Sequence, residues 1–131
     1  MSVGEMPAGR EFDATVAEVV MGWRYQPFVW VVEAGRFIDD ERLPYFSTCW
    51  EAMRLVVERM RDLGWLSFEM RWVKRGRYSS ESLIEGWSVF FNSDFAPFTA
   101  GHVEAETAPH AVCLAALKAV QLQREREVQS L

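Results

Sequence analysis

The chain has 131 residues, a mass of 15.1 kDa and a formal net charge of −5. Half of its residues are hydrophobic and 14% are aromatic, which excludes disordered, collagen-like and low-complexity proteins. The length predicts a single domain over residues 1–131, and the acidic charge disfavours nucleic acid and anionic membranes as partners because both would repel it.

The first predicted element is a helix from about Ala8 to Met21. Its apolar side chains recur at the spacing of one helical face: Phe12, Val16, Val19, Val20 and Trp23. Glu11 and Asp13 lie off this stripe, near the helix N-terminus, where the helix dipole favours negative charge. The pattern therefore predicts an amphipathic helix that packs through its apolar stripe.

Residues 28–38 predict a short hairpin. Phe28–Glu33 has the composition of a strand, and Ala34 and Gly35 can turn the chain into Arg36–Ile38. A two-stranded sheet alone would be marginally stable. We therefore expect this segment to add one or two strands, or a homodimer to complete the sheet.

The second helix is predicted between Thr48 and Gly64. Thr48 and Glu51 fit a capping box, in which each side chain bonds a backbone amide of the other residue. Gly64 fits a left-handed cap at the other end. The apolar stripe that should be buried consists of Trp50, Met53, Val56, Val57, Met60 and Leu63.

Two alternating segments, Trp65–Lys74 and Gly86–Asn92, predict a pair of antiparallel strands joined by a polar loop. In the first strand Leu66, Phe68, Met70 and Trp72 should share one face. Residues 93–106 are expected to form a second loop.

The last predicted helix opens at Thr107. The threonine can cap it, and Pro109 suits the first turn because its missing N–H would be unpaired there anyway. From about residue 122 the sequence is charged. We expect that part to fray or to project as a tail.

The cysteines and the hydropathy bear on location. Cys49 and Cys113 form no CxxC or other metal-ligand spacing. No stretch reaches the ~20 apolar residues of a membrane span, and residues 1–10 lack the apolar run of a signal peptide. We expect a cytoplasmic protein with free thiols, no membrane association, no cofactor and no metal.

Three local sequences resemble the phage ABA sandwich domain family. In the family's order they are Gly9-Arg10-Glu11-Phe12-Asp13-Ala14 with Met21-Gly22-Trp23, Pro44-Tyr45-Phe46-Ser47-Thr48, and Glu104–Pro109 followed by Ala111–Lys118. The resemblance implies a small protein of phage or prophage origin, a layered alpha-beta-alpha fold and no established catalytic residues. With the predicted elements, it gives a single α/β (α+β) domain, an alpha-beta-alpha sandwich with a small, mainly antiparallel sheet covered by helices, in the order α-β(hairpin)-α-β-β-α.

The resemblance also selects the first candidate ligand-binding residues. They match its motifs and are polar or amphipathic: Arg10, Asp13, Trp23, Ser47 and Thr48. Asp13 near a helix start and Thr48 at a cap also have structural interpretations. The family tends to show Tyr-Ser-Thr-Asp where this chain has Phe46-Ser47-Thr48-Cys49, so a phenol and a carboxylate are missing here.

A second candidate ligand site lies at the predicted hairpin of the two long strands. Arg71, Arg75 and Arg77 concentrate positive charge beside Tyr78. Arginine with an aromatic ring can hold an anionic, stackable ligand such as a nucleotide. The alternative is a solvated tip whose charges protect an edge strand from aggregation.

Catalytic and metal sites have weaker support. Ser47, Asp13 and either His102 or His110 could supply a triad, but no GxSxG elbow accompanies them. His102 with Glu104 and Glu106 offers one nitrogen ligand, fewer than zinc usually takes. We therefore expect no catalytic residues.

Nine aromatic residues fall outside the predicted helices and the two main strands: Tyr25, Phe28, Trp30, Phe37, Tyr45, Phe46, Tyr78, Phe95 and Phe98. Some should close the core, and the rest would form an apolar patch that binds a partner or a ligand.

These features favour a non-enzymatic binding protein of phage or prophage type that acts on host components. Its most concrete form is an anti-defence protein that sequesters a small anionic or nucleotide ligand. The alternative is a protein–protein accessory or assembly module that dimerises through an aromatic patch, with a host protein or a second copy as partner. A small hydrolase is the third hypothesis.

Overall fold

The structure, a computed structural model, describes residues 6–76, 85–93 and 100–129. Within these ranges the chain forms three α-helices and six strands. In chain order they are α1 Arg10–Val19, β1 Arg24–Gln26, β2 Val29–Glu33, β3 Arg36–Asp39, α2 Trp50–Asp62, β4 Ser67–Lys74, β5 Glu85–Asn92, β6 Ala100–Ala105 and α3 Ala108–Gln129.

The strands form two antiparallel sheets, ordered β1-β2-β3 and β4-β5-β6. The predicted α+β class is confirmed, and the arrangement is consistent with an alpha-beta-alpha sandwich. The predicted hairpin at residues 28–38 is present as β2 and β3, with Trp30 opposite Ile38. β1 was not predicted because its three residues are exposed and show no alternation of apolar and polar side chains.

Helix α1 buries the predicted apolar stripe, with Val19 only half-buried. The burial of Asp13 is not predicted by the helical pattern, because this residue lies off the apolar stripe and is nevertheless fully buried. Gly22 follows the helix at a φ of 75°, in the left-handed region that favours glycine.

The predicted capping box at α2 is wrong. The helix begins at Trp50, and its N-cap residue Cys49 makes no side-chain capping bond. The backbone amides of Thr48 and Cys49 both donate to the Tyr45 carbonyl, at 3.2 and 2.9 Å. Thr48 therefore belongs to a turn that precedes the helix.

The C-terminal end of α2 is as predicted. Gly64 has a φ of 100°, its amide donates to the Arg61 carbonyl, and the Trp65 amide donates to the Met60 carbonyl. This pair of bonds is a Schellman motif, which satisfies carbonyls that the helix end would leave unpaired.

β4 and β5 pair without a shift from Ser67 opposite Asn92 to Lys74 opposite Glu85. The strands predicted at 65–74 and 86–92 are thus confirmed. β6 lies where we expected a loop. Its sequence, Ala-Gly-His-Val-Glu-Ala, has little strand propensity, and pairing with β5 imposes the extended conformation.

Helix α3 supplies the centre of the core. Residues 111–117 are all buried, so this helix is covered on every side in its first half. The predicted cap is confirmed, since the His110 amide donates to the Thr107 hydroxyl at 3.4 Å. The helix continues to Gln129 past the point where we expected fraying, and Arg124 donates to the Val19 carbonyl at 3.0 Å. In the described residues, no helix has both the length and the hydrophobicity to cross a membrane.

Candidate functional site

Asp13 and Ser47, two of the predicted site residues, form one buried cluster that joins α1 to the segment before α2. One carboxylate oxygen of Asp13 accepts from the Ser47 hydroxyl at 2.7 Å and from the Ser47 amide at 2.8 Å. The Ser47 hydroxyl oxygen also accepts from the Gly9 amide at 2.9 Å. Both side chains are fully buried, so these groups bond one another and offer no face to a ligand.

Arg10 closes the same cluster from the surface. Its guanidinium donates to the second Asp13 oxygen at 3.0 Å and to the Pro44 carbonyl at 3.5 Å. The guanidinium carbon lies 4.1 Å from the centre of the Tyr45 ring, a cation–π distance. The buried charge of Asp13 is thereby paired, as a buried charge must be.

The other two family-motif residues form no hydrogen bond with Asp13, Ser47 or Arg10. Trp23 is buried in the core, with its ring centroid 5.7 Å from that of Phe46. Thr48 is exposed in the turn before α2. The five motif residues therefore do not converge on a common cleft.

A buried thiol borders the cluster on the α3 side. Burial raises the pKa of the Cys113 thiol strongly, and the nearby Asp13 carboxylate raises it further. The thiol is therefore held protonated and unreactive.

A Ser-His-Asp triad does not assemble around Ser47. His110 instead places its Nε2 atom 2.7 Å from the Met6 carbonyl and packs edge-on against Phe12. The side chain of His102 lies outside the described part of the chain. Among the described residues, no three His, Cys, Asp or Glu side chains gather as metal ligands would.

The hairpin arginines are only partly described. Arg75 forms an ion pair with Glu104 of β6, and both side chains are largely shielded. Arg71 is exposed on β4, opposite Ser88 of β5. Arg77 and Tyr78 lie outside the described residues.

An open hollow of about 620 Å³ lies beside Arg10 and Tyr45. Three carboxylates line it: Glu11, Asp40 and Glu41. An anionic ligand would meet more negative than positive charge there, so the hollow fits poorly with the predicted ligand class.

The loop aromatics divide between core and surface. Trp30 and Phe46 are buried, and the Trp30 ring nitrogen donates to Asp40 at 3.0 Å. Four others are exposed: Tyr25, Phe28, Phe37 and Tyr45. Tyr78, Phe95 and Phe98 lie outside the described residues.

A second exposed aromatic surface involves two residues that the sequence places on apolar stripes facing the core. Trp50 at the start of α2 and Trp72 on β4 expose 54% and 59% of their surface. Trp72 is opposite Trp87 in the sheet, and the rings of Trp87 and Trp50 meet edge-to-face at 5.5 Å. We call these three residues the tryptophan surface.

An apolar groove of about 220 Å³ lies between α2 and β4. Its walls include Val57 and Met60 of α2 and Phe68 of β4, with Leu66 at 65% exposure. The alternation of β4 did predict that Leu66, Phe68 and Trp72 share a face. It did not show that the helices leave this edge of the sheet partly uncovered.

Comparison with known proteins identifies a solved structure with a similar fold. No curated protein matches the sequence. A phage protein from Bacillus cereus ATCC 14579, solved at 2.0 Å, has a similar structure with a TM-score of 0.54 and 20% sequence identity. The alignment covers 91% of this chain and 97% of that one. At this identity the similarity concerns the fold alone.

The family model described as phage ABA sandwich domain matches residues 14–117. That span includes most of α1 and the first part of α3, together with both sheets and α2. The chain belongs to the phage ABA sandwich domain family.

Proposed function

We propose that the protein is a non-enzymatic assembly module that dimerises through the tryptophan surface and the apolar groove between α2 and β4. The exposure of Trp50 and Trp72, on the same two elements whose other residues line the apolar groove, carries this proposal. Tryptophan is enriched among the residues that dominate binding energy, and exposed contiguous apolar patches mark interaction sites.

The surface has the layout of an interface centre. Trp50 and Trp72 lie on α2 and β4, the two elements that also form the groove, and Arg54 and Arg61 of α2 are exposed. An apolar centre with a charged rim is the usual organisation of protein–protein interfaces.

Sequestration of an anionic or nucleotide ligand has less support from the geometry. Arg10 and Arg75 are paired with carboxylates, and the hollow beside Arg10 is mainly acidic. A hydrolase has less still, since the Ser47 hydroxyl is buried and hydrogen-bonded.

The test compares Trp72→Ser with Phe37→Ser by sedimentation velocity over a range of concentrations. Both side chains are exposed to the same extent, at 59%, but Phe37 lies on the other sheet. We expect the native chain and Phe37→Ser to self-associate with equal dissociation constants and Trp72→Ser to weaken association at least tenfold. Equal effects of the two substitutions, or a native chain that never self-associates, would overturn the proposal.

A further inference from the structure

We infer that the two copies of this chain join by antiparallel pairing of β4 with β4 about a two-fold axis at Met70. This inference rests on the proposed function and specifies the strand that joins the copies and its register. The β4-β5-β6 sheets of the two copies would then form one continuous six-stranded sheet.

The first support is the edge of β4. All eight residues of the strand pair with β5 on one side. On the other side, no strand within residues 6–76, 85–93 and 100–129 lies beside it. Proteins often protect such edges with a proline or a bulge, and this strand has neither.

Symmetry restricts the possible registers. Residues directly opposite each other in a sheet point to the same face. A two-fold axis perpendicular to the sheet keeps the helix-covered faces of the two copies on one side. The axis must therefore pass through a residue position. The two middle positions of the eight-residue strand are Met70 and Arg71, and Glu69 lies next to them.

The charges select one of these three. An axis at Glu69 places the two Glu69 side chains opposite each other, and an axis at Arg71 does the same with arginine. Like charges directly opposite are destabilising, and opposite charges are stabilising. An axis at Met70 places Glu69 of each copy opposite Arg71 of the other, so two ion pairs form by symmetry.

Both charged side chains are available for this role. Glu69 and Arg71 are exposed, and neither makes an ion pair with another side chain in the described ranges. They lie on the face of β4 opposite to Phe68 and Met70, which pack against the core.

The same register satisfies the apolar face. It places Phe68 of each copy opposite Trp72 of the other, and aromatic pairs across strands are stabilising. Phe68 lines the apolar groove, so the second copy's Trp72 would enter that groove. An apolar cavity of about 150 Å³ is enough to bind benzene, so a groove of about 220 Å³ has room for much of an indole ring.

The experiment uses charge reversal in trans. Glu69→Arg places arginine opposite Arg71, and Arg71→Glu places glutamate opposite Glu69. Each single variant should therefore weaken the dimer at least tenfold. In an equimolar mixture, however, each reversed charge meets its opposite. Native mass spectrometry should show a heterodimer about as stable as the native dimer, and the double variant Glu69→Arg/Arg71→Glu should also dimerise.

The outcomes separate this inference from the proposed function. If the native chain dimerises and Trp72→Ser weakens the dimer, but charge reversal has no effect and the mixture shows no preference, the register is refuted and the assembly function stands. If the native chain is monomeric, both fail. Both charges are exposed, so circular dichroism should show every variant folded.

Discussion

Asp13 joins α1 to the segment before α2 through hydrogen bonds of its buried carboxylate. Its carboxylate receives three hydrogen bonds, two from Ser47 and one from Arg10, and ties α1 to a residue 34 positions later. A buried carboxylate keeps its charge only with such partners. We conclude that Asp13 and Ser47, although they match the family's motifs, have a structural role.

The first prediction at this scale concerns the two ends of the ion pair. Asp13→Ala leaves buried donors without an acceptor, so it should lower the free energy of unfolding by about 3 kcal/mol. Arg10→Ala removes a side chain that is 41% exposed and leaves the two Ser47 hydrogen bonds to Asp13 in place, so it should cost less, about 1–2 kcal/mol. Urea denaturation measures both values. Equal losses would contradict the assignment of Asp13 as the centre of the cluster.

A second prediction concerns pH. The raised pKa of Cys113 means that the folded state keeps this thiol protonated, whereas the unfolded chain loses the proton near the ordinary cysteine pKa of about 8.5. The contribution of the Cys113 thiol to the free energy of unfolding is therefore fully present below that pH and is lost as the pH rises above it. Urea denaturation at pH 7 and pH 10 should show a smaller alkaline loss for Cys113→Ala than for the native chain. An identical loss in both would contradict the shift.

Part of the candidate site is predictable from the sequence. Asp13 and Ser47 belong to two motifs of the family, and the structure brings them together. Their role could not be read from helical periodicity, because periodicity placed Asp13 off the buried stripe. It is buried because the segment before α2 covers that side of α1 with Ser47, a long-range contact that no local pattern records.

At the scale of the elements, the N-termini of α2 and α3 show that a capping sequence does not always form a cap. The sequence around Thr48 fits a capping box, yet Thr48 and Cys49 are drawn into a turn that bonds the Tyr45 carbonyl. Thr107 does cap α3. Strands β1 and β6 carry weak strand signals and exist because a neighbouring strand pairs with them. Boundaries and weak strands therefore depend on tertiary pairing.

This difference between the two threonines is testable. Thr48→Ala should change the free energy of unfolding by no more than about 0.5 kcal/mol, since an exposed residue without a capping bond contributes little. Thr107→Ala should lose about 1 kcal/mol, the usual contribution of a capping side chain. Thermal denaturation of the two variants side by side gives the comparison. A larger loss for Thr48→Ala than for Thr107→Ala would contradict this assignment and would support a capping box at Thr48.

At the scale of the whole molecule, the proposed interaction surface contains none of the residues in the motifs that identify the family. Those motifs contribute mainly to the core: Asp13, Ser47 and Trp23 are all buried. The proposed interface instead consists of the tryptophan surface, the groove and the β4 edge. Sequence alternation placed Trp72 on the core face of β4, but only the positions of α2 and α3 show that this edge of the face is open.

The central claim is that β4 joins two copies in one register. The measurement that tests it most directly is the mass of the species formed when Glu69→Arg and Arg71→Glu chains are mixed in equal amounts. We predict a heterodimer, twice the 15.1 kDa mass of one chain, under conditions where each variant alone stays monomeric. A mixture that remains at the mass of a single chain while the native protein dimerises would contradict the claim.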